Sequence, residues 1–380
     1  MAWNWLKRWF GATVADESGG ADHSIQIETV DAASNPWHVP VYDVRPVTLG
    51  MLSLSQDQEC AENLGTFARD DGTGFIGMET PDPRSISAGL HYRIDGTLPD
   101  GVLFVPTQME HKWAIYFHRG QILCIRSWTR QVHVVAEVRL SKGWMEITTL
   151  RGTFLCESER PEFTVRVMDF LLRSHVLDIA HPAPLHPGIE LDGYKAAVVC
   201  MHMFGNRAQF ATQHAVTPEP PEQSIRSDSL LHVAVARGDR ARVNALLDAG
   251  MPMTYLARDG FAPLHWALVT KGTDMLGLLL ERGSPVDVRS VQGATPLMNA
   301  VQERSVEKTT FLLDHGAAAN ATDQRGSTAL HRAVEMEDLE IARVLLEHGA
   351  RVDVQAQGHT PRSVAEGRGA RAMVELFDRR

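Results

Sequence analysis

The chain has 380 residues, of which 44% are hydrophobic and 22% are charged, and its net charge at pH 7 is −10. This composition is ordinary for a soluble globular protein, so it argues against general disorder and against an integral membrane protein. The sequence contains no apolar run of about 18 residues, so no membrane-spanning helix is expected. The length allows two or three domains.

The negative charge is concentrated in the first part of the chain. Residues 1–223 hold 18 basic and 27 acidic residues, whereas residues 224–380 hold 19 and 20. Binding to a phosphate backbone relies on neutralising cations, so nucleic acid is not an expected partner of either part. Because complementary charge speeds encounter, the acidic part favours a basic protein partner.

Cysteine usage bears on the compartment. Cys60, Cys124, Cys156 and Cys200 are far apart and form no CxxC pair, so neither a zinc finger nor a thioredoxin-like site is expected. Scattered cysteines without a secretory signal suit a reducing compartment. The expected location is therefore the cytoplasm.

The opening segment MAWNWLKRWF is rich in aromatic residues, and two interpretations of it stay open. It is not a secretory signal, because no long apolar run follows the basic residues. One interpretation is a peripheral membrane contact in which Trp3, Trp5, Trp9 and Phe10 enter the headgroup layer. The other is a terminal segment that docks on the folded domain.

The first part of the chain is predicted to contain one domain of unknown family. Residues 1–36 are predicted to be a flexible lead-in, because they are rich in small and acidic residues. The domain covers 37–216, and a proline-rich acidic linker follows over 217–223. Residues 41–110 are rich in turn signals, and Gln56–Arg69 is predicted to be a helix.

Residues 112–156 carry the clearest strand signal in the first part. β-Branched and aromatic residues lie between short glycine turns, which predicts an antiparallel meander of about four or five strands. A helix is predicted from Pro161 to about Asp178, with Ser158 as its cap, and a second helical or buried segment at 194–205. Because a helix follows the sheet directly, the predicted fold class of this domain is α+β.

Histidines are the first candidates for chemistry in this domain. His175, His181, His186 and His202 are close in sequence, but a zinc site needs three or four converging ligands. Their spacing matches no such pattern. They are therefore predicted to be loop histidines, one of which caps a helix end.

Cysteines are the second candidates, since a nucleophilic cysteine needs exposure and a nearby base. Cys124 or Cys156, with His118 or His133 across the sheet, is the arrangement that could supply both. Both cysteines lie inside strand patterns, however, and are predicted to be small buried side chains. The glycine-rich stretch 73–77 lacks the strand–turn–helix context of a phosphate cradle. No catalytic residue, metal site or cofactor is predicted.

The last part of the chain repeats itself every 33 positions, as Gly260, Gly293 and Gly326 show. The matching segments are FAPLHWAL, GATPLMNAV and GSTALHRAV, each followed in turn by LLERGSPVDV, LLDHGAAAN and LLEHGARVDV. A 33-residue period with a TPLH-like core resembles the ankyrin repeat family.

The resemblance implies an all-α ankyrin-repeat solenoid over 224–380 with about five repeats, the outer two being caps. It also implies that His265 and His331 hydrogen-bond the backbone of the adjoining turn. The glycines that end the second helix of each repeat would adopt the left-handed conformation. These are Gly250, Gly283, Gly316 and Gly349.

The resemblance further implies a concave binding face, formed by the turn tips and the exposed side of each first helix. The residues that it places on this face are Arg258, Phe261, Trp266, Val269, Thr270, Val291, Gln302, Glu303, Gln324, Arg325, Arg332, Glu335 and Met336. Aromatic and arginine side chains are the kinds that anchor interfaces. For Trp266 a structural alternative stays open, in which the ring packs on the next repeat.

These observations favour a non-enzymatic protein whose ankyrin repeats bind a protein partner, as an adaptor, a regulatory protein or an immunity-type protein. The alternative is an enzyme in which the domain 37–216 is catalytic and the repeats recruit substrate. A pocket in that domain with two or more converging His, Cys, Glu or Asp side chains would favour the enzyme.

Overall fold

The computed structural model describes residues 25–50, 58–67, 69–155, 159–186, 192–216 and 219–379. The chain forms two compact units, the first ending at Ser227 and the second beginning at Asp228. The first unit is rich in sheet and the second is helical. The aromatic segment Trp3–Phe10, the predicted cap Ser158 and the candidate Cys156 lie outside the described residues.

The first unit is built around one antiparallel sheet. The strands of the unit are, in chain order, β1 (Thr29–Val30), β2 (Val41–Asp43), β3 (Ser85–Ile94), β4 (Gly101–Phe104), β5 (Trp113–His118), β6 (Gln121–Arg126), β7 (Val132–Ser141), β8 (Trp144–Gly152), β9 (Ala183–Pro184), β10 (Phe210–Thr212) and β11 (Ser224–Ile225). The main sheet has the order β11-β3-β8-β7-β6-β5-β4, and its pairs are antiparallel except β11 with β3. The predicted meander is confirmed as β5 to β8. A smaller sheet has the order β1-β2-β10-β9.

The main sheet is curled, because its first and last long strands are joined by a short loop. β3 ends at Ile94 and β4 begins at Gly101, yet four strands lie between them in the sheet. Five strand spacings of about 4.8 Å would separate the two strands by roughly 24 Å in a flat sheet. The loop reaches about that far only when fully extended. It turns back at once instead, since Gly96 has a φ of 76° and its N–H donates to Ile94 O.

Two helices share an apolar core with the sheet. The helices of this unit are α1 (Arg45–Thr48), α2 (Gln58–Phe67), α3 (Pro161–Leu171) and α4 (Gly193–Phe204). Residues of α3 and α4 belong to the same buried cluster as the strands. Polar anchors fix their positions: Tyr92 Oη donates to Asp169 Oδ1 at 2.5 Å, and Trp113 Nε1 donates to Met203 O at 2.8 Å. The helix predicted around residues 56–69 is confirmed as α2.

The helix predicted after the sheet is confirmed as α3, with a widened last turn. It continues as one π-helical turn, Leu172–Val176. Within this turn Arg173 Nε donates to both carboxylate oxygens of Asp169 at 2.9 Å, and Ser174 Oγ donates to Phe170 O at 2.7 Å. The guanidinium of Arg173 and the hydroxyl of Ser174 thus find partners within the same helix, as buried polar groups usually do.

Two boundaries differ from those expected from the sequence. β1 lies inside 1–36, the predicted lead-in, and pairs with β2. β11 lies inside the stretch predicted as the start of the first repeat. It pairs with β3 through Ser224 and Arg93, and Arg226 Nε donates to Asp95 Oδ2 at 2.6 Å. A strand of two residues is too short to show an alternating pattern, so neither was visible in the sequence.

The second unit begins with a two-residue strand, β12 (Asp228–Ser229), and its described residues then form five pairs of helices. The pairs are α5 (Leu230–Ala236) with α6 (Arg240–Asp248), α7 (Pro263–Trp266) with α8 (Asp274–Glu281), α9 (Pro296–Gln302) with α10 (Val306–Asp314), α11 (Ala329–Glu335) with α12 (Leu339–Glu347), and α13 (Pro361–Gly367) with α14 (Arg371–Asp378). A 3-10 turn, Ala267–Val269, extends α7. One apolar cluster runs through all five pairs.

Glycine has two different tasks in these repeats. At the end of α12, Gly349 has a φ of 82°, and an added Cβ would meet no atom within 4 Å. At the hairpin tip before α11, Gly326 has a φ of 79°, and an added Cβ would lie 3.0 Å from Gln355 O in the next repeat. The tip glycine therefore allows both a left-handed backbone and the close approach of successive tips.

Replacing Gly326 with alanine should destabilise the repeats more than replacing Gly349 with alanine. Both changes put a side chain on a left-handed backbone, at a cost of about 1–2 kcal/mol. Only the first also forces a Cβ against a neighbouring carbonyl oxygen. Amide hydrogen exchange of α11 and α12 in the full chain should be faster in Gly326→Ala. Equal exchange in both variants would contradict a role for the tip contact.

Candidate functional site

A histidine near the start of the first helix links each of three repeats to the next. In the second repeat, His265 Nδ1 accepts from Ala262 N at 3.3 Å, so Nε2 carries the proton and donates to Ala294 O at 3.1 Å. In the fourth repeat, His331 Nε2 lies 3.2 Å from His359 O. The predicted backbone bonds of both histidines are confirmed.

The first repeat has the same link, and its histidine, His232, is more deeply buried than His265. His232 Nε2 lies 3.1 Å from Phe261 O, and Ser229 Oγ lies 2.8 Å from Nδ1. Burial lowers the pKa of His232 to about 3 and that of His265 to about 4. Both imidazoles are therefore neutral at pH 7 and serve as fixed hydrogen-bonding groups.

Trp266 is half-buried on α7. Its Nε1 donates to Asp259 Oδ2 at 2.9 Å, and its ring lies 5.2 Å from the ring of His232. The sequence left open whether the Trp266 ring packs on the next repeat. The ring lies against His232, in the preceding repeat, instead. The bond to Asp259 turns the indole toward the N-terminal side of its helix, which is the usual direction for a helical side chain.

Val269 and Val291 put apolar surface on the second and third repeats. Their exposed fractions are 67% and 42%. Val291 lies against the tip of the preceding repeat, where its N–H donates to Gly260 O at 2.9 Å. Phe261, which follows Gly260, is half-buried, and its ring lies 5.2 Å from that of His265. Exposed apolar side chains at tips and helix ends are available to a partner.

A cavity of about 370 Å³ lies among the third, fourth and fifth repeats. Its lining includes five residues of the predicted face: Gln302, Arg325, Arg332, Glu335 and Met336. Arg332 is held in place by other lining residues. Its Nη2 lies 3.3 Å from Asp323 Oδ2, and its Nη1 donates to Gln302 Oε1 at 3.0 Å. The guanidinium is thus oriented by the fold.

Sequence reasoning missed the rest of this cavity. The missed lining residues are Asp323, Ser327, His331, Ala356, Gln357, His359 and Val364. The repeat itself carried a signal for one of them, because Gln357 precedes Gly358 as Arg325 precedes Gly326. The last tip glycine, Gly358, lies 32 rather than 33 residues after Gly326, and the resemblance implies that the last repeat is a cap.

Other members of the predicted face mainly join one part of the unit to another. Arg258 Nε donates to Asp228 Oδ2 at 3.1 Å, and Gln324 Nε2 donates to Val291 O of the preceding tip at 2.8 Å. Two further members are engaged similarly: Glu303 with Lys308 at 3.6 Å, and Thr270 with Ala267 O at 2.7 Å. The structure does not bring these four side chains into the cavity.

Comparison with known families identifies the repeats. Residues 271–356 match the sequence model of the family described as ankyrin repeats (3 copies). These residues are ankyrin repeats. The match begins just before α8 and ends at the tip that follows α12, so it contains most of the cavity lining. The first half matches no family model, and comparison with curated proteins gives no match for the chain.

The four candidate histidines of the first unit are spread over several elements. His181 and His186 follow α3 in a loop, as predicted, and His175 lies in the π-helical turn at the end of that helix. His202 lies within α4, which corrects its expected place in a loop. Burial lowers the pKa of His202 and of His181 to about 4, and it lowers the pKa of His175 well below its ordinary value.

The prediction of a buried cysteine is confirmed for Cys124. Its Sγ lies 3.7 Å from Met168 Sδ in the core, and burial raises the pKa of the thiol. His118 Nε2 lies 2.8 Å from Asp71 O, and the ring of His133 packs at 5.6 Å from that of Trp113. A thiol with a raised pKa is a poor nucleophile, so Cys124 has a packing role.

Three further features concern metal binding, helix length and the cysteines. Within the described ranges, no group of three or more His, Cys, Asp or Glu side chains is placed to hold a metal ion. Among the helices of the same ranges, none combines the length and the apolar character needed to cross a membrane. Cys124 and Cys200 are free thiols.

Lowering the pH from about 6.5 to about 4 should destabilise the second unit through the histidines that link its repeats. The pKa of His265 in the folded chain, about 4, lies below the unfolded value of about 6.5. The unfolded chain therefore binds more protons in this window, and stability falls as the pH falls; above the window the contribution is complete. Hydrogen exchange of α7 and α8, corrected for intrinsic pH dependence, measures the effect.

The matched variant is His265→Met, which copies Met298 in the same slot of the next repeat. It should lower stability at pH 7 by about 1–2 kcal/mol, because two backbone groups lose a partner. It should also flatten the pH dependence, whereas Met298→Leu should leave that dependence unchanged. An equally steep loss of stability with and without His265 would refute the explanation.

Proposed function

We propose that the ankyrin repeats form a solenoid whose concave face binds a segment of a partner protein. The protein is then a non-enzymatic adaptor, regulatory or immunity-type protein. The face comprises the hairpin tips and first helices, including Val269, Val291 and the cavity beside Arg325 and Glu335. The observation that carries the proposal is exposed apolar surface on the same predicted face as a preformed polar cavity.

The distribution of exposed apolar side chains supports this face. In the described part of the second unit, three large apolar side chains are exposed: Val269, Val291 and Leu339. The first two belong to the predicted face, whereas Leu339 begins α12, the second helix of its repeat. Exposed apolar side chains that cluster beside polar groups are typical of interaction sites.

The fixed position of Arg332 also supports binding at the cavity. Asp323 and Gln302 hold its guanidinium before any partner arrives. A side chain that is already ordered loses little conformational entropy on binding, so its contacts contribute more to affinity. Arginine is also enriched among the residues that dominate binding energy.

We assign the first unit the role of a second contact surface, and we place the protein in the cytoplasm. The excess of 27 acidic over 18 basic residues in 1–223 supports a basic partner for this unit. The free thiols of Cys124 and Cys200 support a reducing compartment. The aromatic residues Trp3–Phe10 remain a candidate for peripheral membrane contact.

Placing a photo-crosslinking residue at Val269 or at Val291 of the full chain should yield discrete protein adducts in cells. The same residue at Leu339 should not, because that position has similar chemistry on a second helix. The double variant Val269→Glu and Val291→Glu should weaken the affinity for the crosslinked partner at least tenfold, or about 1.4 kcal/mol, since it places charge in an apolar contact. Leu339→Glu is its control. Adducts that form equally at all three positions would argue against the concave face.

A further inference from the structure

We infer that the partner segment in the cavity carries one acidic and one basic side chain, which pair with Arg325 and Glu335. The occupant is an extended peptide segment of a partner protein. The inference rests on the proposed function, because it specifies the partner chemistry of the same face.

The first observation is that these two charges are unpaired. The charged lining residues are Asp323, Arg325, Arg332 and Glu335. Arg332 and Asp323 pair with each other at 3.3 Å. Arg325 and Glu335 are exposed, and within the described part of the chain neither side chain has a hydrogen bond or an ion-pair partner. A bound segment therefore meets one open positive and one open negative charge.

The second observation is that charges next to the cavity are already paired. Glu337 lies 3.5 Å from Arg368, and Arg304 lies 3.7 Å from Asp338. At the distance of a bound peptide, the opposite charges within each of these pairs largely cancel. The two open charges then determine which side chains the cavity favours, since electrostatic complementarity gives specificity.

The balance of charge excludes a segment of one sign. The four charged lining residues sum to zero, so a uniformly acidic segment would gain at Arg325 and be repelled at Glu335. A uniformly basic segment would be attracted by Glu335 and repelled by Arg325. Only a segment with both signs satisfies both residues, and the repulsive contact acts against the other classes.

The geometry of α11 sets the spacing of the partner charges. Glu335 is the last residue of this seven-residue helix, and Arg325 lies four residues before its start. Seven helical residues span about 10 Å, whereas an extended peptide rises about 3.3 Å per residue. By this comparison, the acidic and basic residues of the partner are expected about three positions apart. A cavity of about 370 Å³ admits several side chains of such a segment.

Selection of random displayed peptides on the full chain tests the inference. Peptides enriched by the unchanged chain should contain an acidic and a basic residue at this separation. Arg325→Glu should weaken their binding at least tenfold, and replacing the acidic peptide residue with lysine should restore binding to that variant. Glu335→Lys should show the mirror result. The control Arg343→Glu reverses an exposed charge on α12 and should change nothing.

The remaining outcomes separate the inference from the proposed function. Enriched peptides without charge preference, whose binding still falls in the Val269→Glu and Val291→Glu variant, would overturn the inference and leave the proposed function standing. Peptides that bind all repeat variants equally, or no enrichment at all, would overturn both.

Discussion

The second unit depends on the close approach of successive hairpin tips. Val291 N donates to Gly260 O at 2.9 Å, and one repeat later Gln324 N donates to Gln292 O at 3.1 Å. This approach is possible because a tip glycine has no side chain: a Cβ on Gly260 would lie 2.9 Å from the side chain of Val291. Since no repeat can bury its apolar face alone, these backbone bonds set the spacing at which the helices pack. The proposed binding face comprises the same tips, so its shape would follow from the packing.

In the first unit, two helices pack on a curled sheet. Buried polar groups hold these helices in place. Arg126 of β6 donates from Nη1 to Met203 O at 3.0 Å, and it also bonds His202 O, so a cation meets the C-terminal carbonyl groups of α4. That placement is favourable because the end of a helix carries partial negative charge. On α3, the carboxylate of Asp169 accepts hydrogen bonds from Tyr92 of β3 and from Arg173. Such buried polar contacts specify one helix position where apolar packing alone would tolerate several.

The sequence predicted the elements that recur at a fixed spacing. It missed the contacts between residues that lie far apart in the sequence. The 33-residue period and the TPLH-like core carried the resemblance to ankyrin repeats, and that resemblance implied the helix pairs and the bonds of His265 and His331. The strands β5 to β8 were readable because consecutive strands pair with one another. β3 was not, since its partner β8 lies distant in sequence. The cavity was found in part: Arg332 was predicted on the face, but its fixed orientation depends on Asp323 and Gln302, and no pattern in the sequence shows that contact.

One irregularity in the repeat explains why the cavity lies where it does. The third repeat has Met298 in the histidine slot, so the bond that joins the other repeats to the next tip cannot form there. Arg332 of the fourth repeat reaches back instead, to Gln302 Oε1 at 3.0 Å and to Met298 O at 3.4 Å. An arginine in this bridging role stays half-exposed, whereas the bridging histidines are buried. The contact between the third and fourth repeats is therefore made by a side chain that also lines the cavity. Because Arg332 both joins two repeats and lines the cavity, substitutions of Arg325 and Glu335 test the proposed binding without removing that contact.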